Sequence, residues 1–145
     1  MKISEVFFEA DGNRLAGSII GAGGGAMPTV LSLHGGGHAT RKRIYYLLNA
    51  LSEYGRSSFC FDFSGHGDSK GAMSESSLAR RVVEATAACH FVEGGVPACL
   101  IGSSMGGHVA CLLAKAKPEI RSLILFCPAL YSKKAAHVNF NATFT

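Results

Sequence analysis

The chain is organised around the stretch Ala98-Cys99-Leu100-Ile101-Gly102-Ser103-Ser104-Met105-Gly106-Gly107. Its apolar first half predicts a short buried strand over residues 98–101, and the periodicity that follows predicts a helix over residues 105–116. Ser104 lies between them, with a glycine two positions before it and another two positions after it. A turn this sharp has no room for larger side chains there, and it lifts the serine hydroxyl clear of the sheet. The pattern therefore predicts that Ser104 is an exposed nucleophile at the N-terminus of a helix.

Two earlier apolar runs also end in loops of small and polar residues. Residues 29–33 lead into His34-Gly35-Gly36-Gly37, and residues 58–63 lead into Ser64-Gly65-His66-Gly67-Asp68-Ser69. Both runs have the length and composition of buried strands. Because the carboxyl ends of parallel strands meet at one edge of a sheet, these loops are expected near Ser104.

Helical patterns separate these strands. Residues 43–54 place Ile44, Leu47, Leu48 and Leu51 on one face and precede Gly55, a suitable left-handed cap, and residues 76–92 form the next pattern. A last strand is predicted over residues 122–126. The alternation predicts a mostly parallel sheet with right-handed crossovers and helices on both faces. At the N-terminus, Asp11-Gly12 joins residues 3–10 to residues 14–20 and predicts an antiparallel hairpin.

Together these motifs resemble those of α/β-hydrolase-fold serine hydrolases, a family that includes esterases, lipases and serine aminopeptidases. The stretch around Ser104 fits G-x-S-x-G, residues 34–37 resemble an HGGG segment, and residues 62–69 resemble D-x-x-G-x-G-x-S. The resemblance implies an α/β-hydrolase fold and acyl transfer from an ester, thioester or amide to water through Ser104.

The resemblance also assigns roles to the residues around the nucleophile. It implies that the backbone N–H groups of Gly36 and Met105 face the tetrahedral oxyanion. His34, Gly35, Asp62 and His66 would shape the site, and the partner would be a small-molecule acyl substrate. Neither a cofactor nor a metal is implied.

The sequence departs from the family after Ser104. In this fold the acid and the histidine of the triad follow the serine on loops beyond later strands. The residues after Ser104 contain one acidic residue, Glu119, and two histidines, His108 and His137. His108 is expected to be a structural or surface residue of its helix, and the surroundings of His137 do not resemble the family's histidine loop. We therefore expect residues 1–145 to form a single partial domain that lacks the C-terminal strands and is weak or inactive alone.

A non-catalytic reading of the same fold stays open, in which the chain is a fragment or a pseudoenzyme that serves as an interaction module. The strand at residues 122–126 would be an interior strand in the family. Its apolar edge would then be open, which predicts pairing with a second copy of the chain.

Composition and charge argue against nucleic-acid-binding and membrane-spanning classes of protein. With 48% hydrophobic and 17% charged residues, the chain has the composition of a soluble globular domain. The formal charge of +4 is scattered, and its densest cluster, Arg41-Lys42-Arg43, is expected to be a solvated surface rather than a nucleic-acid site. No apolar run is long enough to span a membrane, no signal-peptide pattern is present, and we expect a cytoplasmic protein.

Three weaker patterns are also present in the sequence. The five cysteines lack metal-ligand spacing and are expected to be small buried hydrophobes. Gly21-Ala22-Gly23-Gly24-Gly25-Ala26 matches a dinucleotide-binding fingerprint, but Pro28 opens another strand where that fingerprint requires a helix. A metal site is conceivable on converging loops from the following residues, although no H-E-x-x-H pattern supports it: His34, His38, Asp62, His66 and Asp68.

Overall fold

The computed structural model describes residues 2–21, 27–92 and 96–130. In these ranges six strands form one sheet in the order β1-β2-β4-β3-β5-β6. The strands are β1 (Lys2–Ala10), β2 (Asn13–Gly21), β3 (Val30–Leu33), β4 (Ser58–Phe61), β5 (Cys99–Ser103) and β6 (Ser122–Phe126). The helices are α1 (Tyr45–Glu53), α2 (Leu78–Phe91) and α3 (Met105–Ala116), and two short 3-10 helices cover Arg41–Ile44 and Met73–Glu75.

The N-terminal hairpin is antiparallel, as its turn residues predict. Asp11 and Gly12 have φ angles of 50° and 77°, so both occupy the left-handed region that a tight hairpin turn requires. β2 also pairs antiparallel with β4, whereas the pairs β4–β3, β3–β5 and β5–β6 are parallel. The prediction of a mostly parallel sheet with an antiparallel hairpin is therefore confirmed.

Side chains on the central strands alternate between two apolar clusters, one on each face of the sheet. Leu31, Phe59 and Leu100 belong to the larger cluster, which α2 and α3 cover with small and aliphatic side chains. Val30, Cys60 and Ile101 belong to the smaller cluster, which Leu48 of α1 completes. Helices thus cover both faces, as predicted, because successive residues of a strand point to opposite sides.

The helix ends follow from local chemistry. Gly55, with a φ of 73°, takes the left-handed conformation just after α1, as the sequence predicts. The Ser77 side chain caps α2 by accepting a hydrogen bond from the backbone N–H of Arg80 at 3.1 Å. The predicted helices begin two residues before α1 and α2, where the chain instead forms a 3-10 turn or the cap.

Two expectations about exposure are wrong. Arg41 is not a solvated surface residue, because its guanidinium is 98% buried among carboxylates, whereas Lys42 and Arg43 are exposed. Cys127 is not buried, because it directly follows the exposed strand β6 with a left-handed φ of 44°. Cys60 and Cys89 are buried as predicted, Cys99 and Cys111 are partly buried, and all five are free thiols.

β6 forms one edge of the described sheet. Its outer side pairs with no strand among residues 2–21, 27–92 and 96–130. Leu123, Ile124 and Phe126 are each between 40% and 43% exposed, which is unusual for large apolar side chains of a strand. None of the described helices is long and apolar enough to cross a membrane.

Candidate active site

The three sequence motifs meet at one edge of the sheet. β3 lies between β4 and β5, and the chain leaves these strands into the loops at His34, Asp62 and Ser104. α1 covers one face of the sheet and α2 covers the other. The chain passes from β3 to β4 on one side of β3 and later to β5 on its other side, so the carboxyl ends of these strands form the switch point where open α/β sheets bind ligands. The structure therefore brings together the site residues that the sequence singles out.

Ser104 occupies a strained turn between β5 and α3. Its φ of 50° and ψ of −115° lie outside the regions that residues with a side chain normally adopt. Two neighbouring elements hold this backbone: Ser104 N–H donates to the carbonyl oxygen of Phe126 at 3.0 Å, and Ala129 N–H donates to the carbonyl oxygen of Ser104 at 2.9 Å. Ser104 itself is exposed.

The glycines around Ser104 are required by close approaches of backbone. A Cβ atom on Gly102 would lie 2.6 Å from the Cα of Gly107. A Cβ atom on Gly106 would collide with the carbonyl oxygen of Leu33. Side chains at these positions would push α3 away from the ends of β3 and β5, so the turn depends on glycine.

The glycines after β3 lie against the turn that contains Ser104. A Cβ atom built on Gly35 would be 3.4 Å from the Cβ of Ser104, and one on Gly36 would be 3.8 Å from the Sδ of Met105. Among the described residues, the backbone N–H groups of Gly36 and Met105 have no hydrogen-bond acceptor. Both groups are thus available as hydrogen-bond donors, and both residues line the cavity beside Ser104.

His34 is buried beneath this loop and uses both ring nitrogens. Its Nε2 accepts a hydrogen bond from the backbone N–H of Phe63 at 3.0 Å, and its Nδ1 lies 2.5 Å from the carbonyl oxygen of Gly35. Because Nε2 accepts, we assign the proton of the neutral ring to Nδ1. Burial lowers the pKa of His34 to about 4, so the imidazole is neutral at neutral pH.

The D-x-x-G-x-G-x-S pattern builds the loop after β4. The Asp62 carboxylate accepts from the backbone N–H groups of Arg41 at 2.7 Å and Asp68 at 3.0 Å. A Cβ atom on Gly67 would collide with that carboxylate, and Gly65 has a φ of 74°. Ser69 Oγ donates to the carbonyl oxygen of Asp62 at 2.5 Å. Each position of the pattern therefore has a structural task.

Arg41 forms a buried ion pair with Asp62. The same guanidinium lies 2.6 Å from Glu5 and 3.0 Å from Asp68. Burial by itself would lower the pKa of Arg41, but its hydrogen bond to Glu5 and the charge of Asp62 outweigh burial and raise it. The guanidinium thus stays charged and ties the start of the helical segment after the glycine loop to the loop after β4.

A second polar cluster lies beside His34. The Glu84 carboxylate accepts from the backbone N–H of Ser64 at 3.1 Å and from its hydroxyl, while Arg81 donates to the carbonyl oxygen of Ser64 at 2.8 Å. His66 Nδ1 lies 3.2 Å from that same oxygen, and the rings of His34 and His66 are 4.9 Å apart. Burial lowers the pKa of His66 below its usual value.

A cavity of about 690 Å³ opens above these loops. Its lining includes Ser104, Gly36 and Met105, and also residues 76–78 and Arg81. Of the described histidines, His34 and His66 are the two that line the cavity. His108 is partly buried on α3, and His137 lies outside the described residues.

Sequence reasoning missed several residues that hold this site. Arg41 could not be distinguished from its neighbours Lys42 and Arg43 by sequence. Which of these three side chains is buried depends on where the loop meets β1 and β4. Arg81 and Glu84 form a salt bridge at 3.2 Å with i,i+3 spacing, a pattern that surface helices share. Only their burial, at 1% and 0% exposure, sets them apart.

The described residues give little support to a metal site or to a dinucleotide-binding loop. No group of three or more His, Cys, Asp or Glu side chains there is placed to hold a metal ion. Of the glycine-rich stretch that matched a dinucleotide fingerprint, Gly21 ends β2 and residues 22–26 lie outside the described ranges.

Comparison with known proteins places the chain in a family. Residues 26–144 match the family described as serine aminopeptidase, S33. The chain belongs to this serine aminopeptidase S33 family of hydrolases. The α/β-hydrolase fold expected from the sequence is thereby confirmed. No curated protein matches the chain.

Solved structures agree with this fold. An esterase from Exiguobacterium antarcticum is 26% identical, with a TM-score of 0.74, and the match covers 88% of this chain and 46% of the esterase. Est1E from Butyrivibrio proteoclasticus, with ferulic acid bound, is 24% identical at a TM-score of 0.79, covering 92% and 56%. A thioesterase domain from the curacin biosynthetic pathway is 22% identical at 0.79, covering 97% and 52%. The chain spans about half the length of these structures.

The close approach at Gly106 generates the first prediction. Gly106→Ala is expected to lower the free energy of unfolding by about 3 kcal/mol, because the new methyl group meets a backbone oxygen that cannot move aside alone. Gly36→Ala is the matched control, since a Cβ atom there has ordinary van der Waals room, and it should stay within about 0.5 kcal/mol of the parent. Urea unfolding followed by circular dichroism measures both. Equal losses would contradict the packing described for α3.

The buried imidazole of His34 generates the second prediction. Its pKa falls from 6.5 to about 4 on folding, so between these values the unfolded chain binds a proton that the folded chain does not. The resulting stability is present above pH 6.5 and is lost as the pH falls toward 4, by about 3 kcal/mol. Urea unfolding at several pH values should show a shallower pH dependence for His34→Asn than for the parent. His38→Asn, at an exposed position of the same loop, is the matched control, because it leaves the buried imidazole of His34 and its contribution to the dependence in place.

Proposed function

We propose that the chain carries the nucleophile and the oxyanion hole of a serine hydrolase that acts on an ester, thioester or amide bond. One observation carries this proposal: Ser104 is held exposed on a strained turn, beside two backbone N–H groups that lack an acceptor among the described residues. Strain of this kind costs about 1–3 kcal/mol and is typical of functional sites. The solved esterase and thioesterase neighbours support the same class of bond.

In the proposed reaction, the Ser104 hydroxyl loses its proton to a base and its oxygen bonds to the substrate carbonyl carbon. The carbonyl oxygen becomes an oxyanion that accepts hydrogen bonds from the N–H groups of Gly36 and Met105. When the intermediate collapses, the alcohol, thiol or amine leaves with the proton and the acyl group stays on Ser104. Water then attacks the acyl-enzyme, releases the acid and restores the serine hydroxyl.

His34 is not suited to be the base. Both of its ring nitrogens are engaged with backbone groups, so no lone pair is left for the Ser104 proton. His66 keeps Nε2 without a partner among the described residues, but that atom is buried. We therefore propose that full activity needs a histidine from a later loop, as in the family, and that residues 1–145 alone are weak.

Covalent labelling tests the nucleophile. Because residues 1–145 alone are proposed to be weak, a fluorophosphonate probe should add one adduct to the folded chain only on prolonged incubation, as measured by intact-protein mass spectrometry, and Ser104→Ala should remove it. Ser103→Ala is the matched control, because the neighbouring serine lies at the end of β5 and should leave labelling unchanged. Circular dichroism confirms folding of each protein first. A folded parent without an adduct contradicts the active hydrolase and favours the non-catalytic reading.

We further propose that two copies of the chain pair through the outer edge of β6. Support comes from three large side chains of this strand, Leu123, Ile124 and Phe126, which are each at least 40% exposed. An exposed, apolar strand edge is a template for pairing with another chain.

Light scattering tests this pairing at micromolar concentration. The parent chain is expected to form dimers or larger assemblies. Ile124→Lys should shift it toward monomer, because a charged side chain on an edge strand disfavours pairing with another strand. Tyr54→Lys, at a position 83% exposed just after α1, is the control and should leave the assembly state unchanged. A monomeric parent would refute the pairing.

A further inference from the structure

We propose that His34 is a positioning residue that aims the Gly36 N–H group at the substrate carbonyl oxygen by holding the preceding peptide unit. The inference rests on the proposed function, since it assigns a task to a residue of the same site. His34 does not touch the reacting atoms in this proposal. It acts through the peptide bond between Gly35 and Gly36.

The hydrogen bonds of the ring fix its orientation. The Phe63 N–H group donates to Nε2, which leaves Nδ1 as the protonated nitrogen of the neutral ring. Nδ1 lies 2.5 Å from the carbonyl oxygen of Gly35, so it donates a short hydrogen bond to that oxygen. A ring flip would place carbon atoms where both bonds form. His34 therefore has one orientation that satisfies both neighbours.

The geometry of the peptide group carries this orientation to the next residue. A peptide bond is planar, and in its trans form the carbonyl oxygen and the N–H group point in opposite directions. None of the described peptide bonds is cis. When His34 holds the Gly35 oxygen beneath the loop, the Gly36 N–H must point to the other side. Gly36 lies beside Met105 and both residues line the cavity, so in this proposal that side is the one that faces the cavity.

Glycine makes this hold necessary. Gly35, Gly36 and Gly37 follow His34 directly, and glycine backbones cross easily between alternative conformations. A loop of three glycines would rotate its peptide groups unless something fixes them. The short hydrogen bond from His34 is the one side-chain bond that the described residues make to this segment.

The ring itself is held by the loop after β4. Phe63, which supplies the N–H group, precedes Ser64, whose backbone and hydroxyl are bonded to the buried Glu84 and Arg81. Phe63 also packs edge-on against the imidazole at 5.0 Å. The buried ion pair on α2 thus holds Ser64 and, through it, the neighbouring Phe63 N–H group that orients the His34 ring.

The charge state of His34 suits this task. Burial lowers its pKa to about 4, with a smaller lowering from the neighbouring His66 and Arg81 and opposing contributions from the Gly35 oxygen and Asp62. At neutral pH the ring is therefore neutral and Nε2 can accept. A second proton would face the Phe63 N–H group with another donor and break that bond.

Two substitutions separate the two bonds of the ring. His34→Asn places an amide N–H near the position of Nδ1 and can still donate to Gly35, but it is too short to reach Phe63. His34→Gln places its amide near the position of Nε2 and can accept from Phe63, but it leaves Gly35 unheld. Both variants lose the imidazole, so its loss cannot explain a difference between them.

Fluorophosphonate labelling rates give the first comparison. His34→Gln is expected to label Ser104 about 100-fold more slowly than the parent, the loss that follows removal of one oxyanion donor. His34→Asn is expected to label within a few-fold of the parent. Equal rates for His34→Gln and the parent would overturn the positioning role while leaving the proposed nucleophile intact.

Nuclear magnetic resonance tests the positioning role of His34 even if the parent chain is not labelled. Absence of labelling would contradict the proposed function but not the positioning role. The ¹⁵N spectrum of the imidazole should show a neutral, Nδ1-protonated His34 at pH 7. The Gly36 amide resonance should stay near its parent position in His34→Asn and move or split in His34→Gln. An Nε2-protonated ring, or a Gly36 resonance that is unchanged in His34→Gln, overturns the inference.

Discussion

Two adjacent residues just after β4 hold both ends of the glycine loop. The Asp62 carboxylate binds the backbone and guanidinium of Arg41 at the far end, and the Phe63 N–H group binds the His34 ring at the near end. Between them the described backbone makes one hydrogen bond within the loop, from the Ala39 N–H group to the carbonyl oxygen of Gly36 at 3.3 Å. The cavity beside Ser104 therefore has a defined wall only because β3 and β4 are neighbours in the sheet.

The turn at Ser104 is the other fixed point of the site, and it is held by backbone alone. Its carbonyl oxygen accepts from Gly107, His108 and Ala129, and its N–H group donates to Phe126. These bonds offset the cost of an unfavourable φ, which amounts to about 1–3 kcal/mol. The first turn of α3 and the segment after β6 thus contribute to the site without placing a side chain in it.

Much of this arrangement could be predicted from the sequence. The periodicity of apolar residues predicted the strands and helices to within a few residues. The glycines around Ser104 predicted a sharp turn, because glycine is required where backbone segments approach each other closely. The burial of Arg41 was predicted wrongly because it depends on contacts between residues far apart in the sequence. Arg41 becomes buried because Glu5 on β1 and Asp62 on β4 approach it from elements far apart in sequence, and no local pattern encodes that meeting.

The order of the strands also has a consequence for how the protein is made. β3 lies at the centre of the sheet, but both of its partners follow it in the chain, and β5 emerges only after α1, β4 and α2. During synthesis the ribosome therefore presents a central strand whose two edges are both unpaired, beside a hairpin that can close at once. Until β5 has left the exit tunnel, β3 therefore keeps one edge without its native partner.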